Sequence, residues 1–253
     1  TQSTWGQSAL LNLHTSLETL RTFKSAMKIA STVVLLFDDA DGFSSAVISS
    51  LVPNSKFSTQ RRQDSFDISL ESYGITERKV SVDLIHFVDS SGGLQSSLMV
   101  LENQGPPGIS CVLNEVVTMI KSSAASDQLT LIVPFFSSSL NWGSTNATIF
   151  AQHMGIETAI SSSITAKLPK PSPHFHIPYE PVACLLQFIR ITNLPSTIII
   201  GLRDRHSSDI KLIEEICNLL ADALQVSFRK ENISLAPSNS KKNFVEPWRS
   251  LYG

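Results

Sequence analysis

Charged residues are scarce in this chain. They make up 17% of its 253 residues, 20 Lys and Arg against 22 Asp and Glu, where ordinary globular domains carry about a quarter. The net charge is only −2. Cations are scattered apart from Arg61-Arg62 and Lys241-Lys242, so the chain lacks the broad basic field that nucleic acid requires, and no nucleic-acid partner is expected. Long apolar runs are missing too. Val33 to Phe37 and Thr197 to Gly201 reach about five residues, against the roughly 20 that cross a bilayer. No basic stretch followed by an apolar one opens the chain, so no membrane partner is expected. Cysteine is limited to Cys111, Cys184 and Cys217. Each lies in an apolar, helix-like stretch, and the odd number without short spacing argues for buried thiols, not disulfides or zinc. The expectation is a soluble protein of a reducing compartment with no metal and no cofactor, cytoplasmic, the nucleus being open as well. The chain opens on Thr1 instead of Met, which reads as residues lost upstream.

What the sequence does have is enough apolar content, 42%, to bury a substantial core in one large domain. Val33 to Phe37, Val82 to Val88, Leu129 to Val133 and Thr197 to Gly201 read as buried strands. Ser97 to Glu102 is a fifth, joined to the second by a turn over Asp89-Ser90-Ser91-Gly92-Gly93. Leu113, Val116, Val117 and Ile120 fall on one helical face, as do Val182, Leu185, Leu186 and Ile189, and then Ile210, Ile213, Ile216, Cys217 and Leu220. An amphipathic stretch with Leu10, Leu13, Leu17 and Leu20 precedes the first strand, and Ser207-Ser208-Asp209 offers caps for the last helix. Strands alternating with helices predict an α/β fold, a three-layer α/β/α arrangement around a central, mostly parallel sheet. Pro169, Pro171, Pro173, Pro178 and Pro181 mark a long irregular connection. The polar segment Arg61 to Glu77 reads as a surface loop, and the runs Ser137 to Ser139 and Ser161 to Ser163 as loop-like. The domain is expected over 1–231. Residues 232–253, with Pro237, Lys241 and Lys242 and no helical or alternating apolar pattern up to Glu246, read as a flexible C-terminal tail.

One constellation carries possible chemistry. Val33 to Phe37 runs into Asp38-Asp39-Ala40-Asp41-Gly42, which resembles the first motif of haloacid-dehalogenase-like magnesium-dependent phosphatases. By that resemblance Asp39 would be the nucleophile and Asp41 the acid and base, with a magnesium ion offsetting their charge. Asp204 and Asp209 would be distal metal carboxylates, Ser90 a phosphate-binding hydroxyl, and Lys167 or Lys170 the lysine. The same acidic residues would equally cap the helix that follows, with no catalysis. Gly42-Phe43-Ser44-Ser45-Ala46 half resembles the nucleophile elbow of α/β-hydrolases, but its last Gly is Ala, and Asp204 and His206 lie only two residues apart. His174 and His176 sit among prolines with no carboxylate or thiol nearby.

The chain ends on Leu251-Tyr252-Gly253, a hydrophobic residue, a tyrosine and a terminal residue, placed beyond a polar tether. Earlier, Tyr179-Glu180-Pro181-Val182-Ala183-Cys184-Leu185-Leu186-Gln187-Phe188 is followed by Asn193-Leu194-Pro195-Ser196-Thr197-Ile198-Ile199-Ile200 and a helix ending near Leu224. This order resembles the C-terminal half of the proteasome assembly chaperone 1 family. Members of that family share a phosphorylase-like α/β/α fold without its catalytic equipment and end in a hydrophobic-Tyr-x motif. The resemblance implies a non-enzymatic chaperone that binds proteasome α-subunits while their ring forms, as a heterodimer with a proteasome assembly chaperone 2-like protein. It also implies that Leu251 fills an apolar site, Tyr252 wedges between two ring subunits and the Gly253 carboxylate meets a lysine. The competing reading of this end is that it folds back onto its own domain.

Overall fold

The six residues TVVLLF of β1, Thr32–Phe37, are buried along their whole length. A strand apolar on both faces is stable only in the middle of a sheet covered on both sides, and that is where it lies. We describe residues 28–39, 41–76, 79–123, 129–138, 147–173, 175–203 and 209–233 of a computed structural model. The amphipathic stretch Leu10 to Leu20 lies outside them. The described elements are, in chain order, β1, α1 (Phe43–Ser50), β2 (Leu51–Val52), β3 (Gln60–Ser69), β4 (Lys79–Val88), β5 (Leu94–Leu101), α2 (Gly108–Ser123), β6 (Thr130–Ser138), β7 (Ile149–Met154), α3 (Ala159–Thr165), α4 (Glu180–Thr192), β8 (Ser196–Arg203), α5 (Asp209–Leu224) and β9 (Ser227–Phe228).

Seven strands form one sheet in the order β3-β4-β5-β1-β6-β8-β7. β5, β1, β6 and β8 run parallel. β4 opposes β5, β3 opposes β4, and β7 opposes β8, so β3 runs with the parallel set and only β4 and β7 run against it. The sheet is mixed and mostly parallel, as its sequence predicts. Alternate residues of β1 enter two separate cores. Val33, Leu35 and Phe37 pack with α2 and α4, while Val34 and Leu36 pack with α1, α3 and α5. The result is the expected three-layer α/β/α arrangement.

The helices start and stop where local chemistry permits. Pro181 sits in the first turn of α4, where its missing N–H costs nothing, and Asn193 ends the helix in a left-handed conformation at φ 49°. The proline-rich connection is therefore shorter than its five prolines suggest. In α3, Thr158 Oγ1 accepts from the Ser161 N–H while Ser161 Oγ receives the Thr158 N–H, a reciprocal cap. The loop-like reading of Ser161 to Ser163 is thus corrected: these serines lie within a helix, and Ser137 and Ser138 end β6. The β4–β5 turn forms as expected, with Asp89 Oδ1 accepting from the N–H groups of Ser91 and Gly93 at 2.8 and 2.9 Å. The Ser91 hydroxyl and the Gly93 N–H also hold the Asp89 carboxyl below its ordinary pKa.

The largest correction is at Arg61 to Glu77. Gln60–Ser69 is not a loop but strand β3, paired over all ten residues with β4. Its first six residues are polar on both faces and carry no apolar alternation; only Phe66 and Ile68, on one face, reach the core, and the pairing of the polar part follows the apolar strand β4 beside it. Beyond the main sheet, β2 pairs with β9. Asn232 Nδ2 donates to the Ser49 carbonyl at 3.1 Å, and Ser49 Oγ donates to the Asn232 carbonyl at 2.9 Å.

Candidate functional site

The chain leaves β1 into α1 on one face of the sheet and leaves neighbouring β5 into α2 on the other. Such a reversal opens a crevice at the carboxyl ends of the strands. Beside it, the ends of β1, β6 and β8 frame a cavity of about 120 Å³ lined by Phe37, Asp39, Asp41, Phe43, Phe136, Tyr179 and Arg203, among others. Asp39 Oδ1 accepts from the Phe43 N–H at 2.8 Å, closing the first turn of α1. Burial raises the Asp39 carboxyl above its ordinary pKa of 3.8 and the Asp41 charge adds to this, while the N–H groups of Phe43 and Gly42 and the Arg203 cation pull it back.

Arg203, the last residue of β8, ties the cluster together. Its Nη1 bonds Asp41 Oδ2. Its Nε lies 3.2 Å from Asp209 Oδ2, off the hydrogen-bonding direction. The guanidinium sits 4.7 Å above the centre of the Phe136 ring, a favourable seat for a cation. Phe136 leans on Phe43 with centroids 4.4 Å apart. Gly201 makes this possible, because a Cβ there would come within 2.7 Å of Phe136 Cδ1. On the far wall, Tyr179 stands edge-on to Phe37 at 5.8 Å. Its buried hydroxyl has no partner among the described residues. Burial pushes the phenol up to about 12, helped by the Asp39 and Asp38 charges.

This geometry does not suit the phosphatase reading. Asp41 is neutralised by Arg203 and Asp39 is engaged with a helix start, so neither carboxylate is held open for an ion. The supporting residues lie elsewhere. Ser90 is in the β4–β5 turn, and because β4 runs against β5 and β1 that turn is at the opposite end of the sheet. Lys167 bridges Asp222 at 3.0 Å near the end of α5. That end also meets the start of β5 through Gln95 and Gln225, so Lys167 too is remote from Asp39. Asp209 is paired with Arg203, and Asp204 lies outside the described residues. The hydrolase elbow fares no better: Ser44 is buried, with its hydroxyl unpartnered among the described residues, and His206 lies outside them. His176 is exposed and His174 is not among the described residues. All three thiols are free, Cys217 fully buried and Cys111 and Cys184 half-buried.

The partner-binding candidates Leu251, Tyr252 and Gly253 lie outside the described residues. The sequence did not bring out Arg203, Phe136 and Tyr179 as a group. A usable signal was there, since Arg203 ends a buried strand just as the acidic run follows one, and strand ends of opposite charge seek each other when their strands share a sheet.

The family described as a domain of unknown function, DUF7894, matches residues 27–253. Among curated proteins none matches. Among solved structures, the chain is similar to a protein of unknown function from Thermoplasma acidophilum, at 12% identity over 86% of this chain and 88% of that one, with a TM-score of 0.53. It is similar to PbaB of Pyrococcus furiosus, an archaeal proteasome activator, at 8% identity over 82% and 89%, with a TM-score of 0.51. A PAC2 family protein from Streptomyces avermitilis aligns at 10% identity over 80% and 89%, with a TM-score of 0.49. At these identities the likeness is one of fold.

Proposed function

Starting from a chain that belongs to the DUF7894 family over residues 27–253, we propose that this protein is a non-enzymatic factor in proteasome assembly. The observation that carries the reading is the fold shared with PbaB, an archaeal proteasome activator, over 82% of this chain. Two further features agree with it. Among the described residues, the strand-end carboxylates are engaged, Asp41 with Arg203 and Asp39 with the start of α1, and the cluster braces the fold. The sequence also ends in Leu251-Tyr252-Gly253, whose apolar side chain, phenol and carboxylate form a compact grip for a cleft with a cation at its base.

In this proposal the protein binds the α-subunit ring of the core particle through that tripeptide and works as a heterodimer with a homologous, proteasome assembly chaperone 2-like protein. The test is binding of the full chain to α-subunit rings. Removal of Leu251 to Gly253, or Tyr252→Ala, is expected to weaken binding at least tenfold with the melting temperature unchanged, and a short extension past Gly253 should do the same by displacing the carboxylate. Equal affinity in all of these proteins would overturn tail docking. Failure of the unaltered chain to bind any α-subunit, alone or with the homologous chaperone, would overturn the assembly role itself.

A further inference from the structure

β3 borders the seven-stranded sheet, and its strand partner among the described residues is β4 alone. An antiparallel strand turns only part of its backbone N–H and C=O groups toward one neighbour, so a border strand presents the rest as a template for another strand. Natural edges are often blunted by shortness, a bulge, a proline or charged side chains. Of these β3 has only charge, in Arg61, Arg62, Asp64 and Asp67. It is ten residues long, QRRQDSFDIS, and keeps unbroken register with β4.

Its charges are sorted by sign along its length. Arg61 and Arg62 occupy the first half, Asp64 and Asp67 the second. A second copy laid antiparallel places each half against its opposite. Opposed residues of an antiparallel pair share a face, and twofold symmetry then requires the register to centre on a residue. Centred on Gln63, it sets Arg62 opposite Asp64 of the second copy, Arg61 opposite Ser65, and Gln60 opposite Phe66. Centred one residue later, it sets Arg61 opposite Asp67 but opposes the two Asp64 carboxylates at its centre and leaves Arg62 against Phe66, so the register on Gln63 is the one with attraction and no like-charge pair. Within one chain Arg62 Nε already bridges Asp64 Oδ2 at 3.0 Å, and both side chains are well exposed, at 69% and 41%. Two such bridges brought edge to edge close into a ring of four alternating charges.

We propose that β3 is the docking strand for a second copy of this chain, joined antiparallel about Gln63 so that the two sheets become one. The overlap, residues 60–66 on each side, spans about 24 Å at the usual rise of an extended strand. An edge of that length covers less than a standard interface, so the dimer forms reversibly with concentration. The site is separate from the C-terminal tripeptide and stands or falls without it.

Sedimentation velocity on the full chain tests this across about 1–100 µM, where small interfaces equilibrate. The unaltered protein is expected to pass from monomer to dimer. In this register Asp64→Arg alone sets Arg against Arg62 and Arg62→Asp alone sets Asp against Asp64, at both symmetric pairs, so each is expected to self-associate at least tenfold more weakly. An equimolar mixture of the two variants should dimerise again, since the altered edges then oppose in sign. Loss of the intrachain bridge cannot produce that recovery, and unchanged circular dichroism of each variant confirms that the fold is kept. A monomer at every concentration, a dimer that both single variants retain, or a mixture that stays monomeric would each overturn the proposal. So would pairing of this edge only with a homologous chaperone.

Discussion

Gly201 decides whether Arg203 can occupy its place. A methyl group there would meet Phe136 Cδ1 at 2.7 Å and Ile216 Cδ1 at 3.1 Å, and the ring that would have to move is the one supporting the guanidinium. Gly201→Ala is expected to cost about 1–3 kcal/mol, the usual penalty of overpacking a closed core, measured by urea unfolding. Asp39 carries a pH signature. Its folded pKa is raised by burial above the ordinary 3.8, so between those two values the folded state holds the proton more often than the unfolded one, and stability falls as pH rises through that window. Asp39→Asn keeps an oxygen for the Phe43 N–H and removes the ionisation. The variant's stability relative to the unaltered protein should therefore be greater at pH 7 than at pH 3, by chemical denaturation at both; a difference independent of pH would refute it. The capping role of Asp39 was legible in the sequence, because an acid before a helix has a local partner. The Asp41–Arg203 pair was not, because it joins residues 162 apart that meet only once β1 and β8 flank β6.

Local patterning located the elements whose stability is their own and missed those made by a neighbour. α2, α4 and α5 each bury one apolar stripe, so their spacing announced them. β3 announced itself only faintly: its first six residues are polar on both faces, Phe66 and Ile68 alone alternate with polar neighbours, and the long polar part is a strand because it pairs with β4 over its full length. α3 is a third kind of case. It is seven residues long with three serines in its middle, too short to persist without its cap and its packing on α5 and β7. Thr158→Ala removes the oxygen that accepts the Ser161 N–H and breaks the bond to Thr130 Oγ1 at 2.7 Å. The expected cost is about 1–2 kcal/mol, typical of losing a threonine cap, again read from urea unfolding.

For the molecule as a whole, the alternation of strands and helices was enough to give the three-layer class, while the neighbour order β3-β4-β5-β1-β6-β8-β7 required the coordinates, since runs such as VVLLF and TIIIG carry no label of their partners. The electrostatics of the strand ends set an expectation about activity. With Asp41 bonded to Arg203 and Asp39 to the α1 start, purified protein should show no magnesium-dependent hydrolysis of an aryl phosphate. A turnover abolished by Asp39→Asn would reverse that conclusion. The central place of β1 also has a consequence in time. Its two neighbours, β5 at Leu94–Leu101 and β6 at Thr130–Ser138, come after it in the chain, so a ribosome delivers the most apolar strand well before either flank exists. At roughly 5–20 residues per second, the last of β5 follows Phe37 by about 3–13 seconds and the last of β6 by about 5–20 seconds, and until then VVLLF lacks one or both of its flanks and is sticky. Nascent chains arrested before residue 130 should be held by general chaperones and digest readily, whereas those released past α5 should resist. The protein we read as an assembly factor would then itself depend on being escorted through its own synthesis.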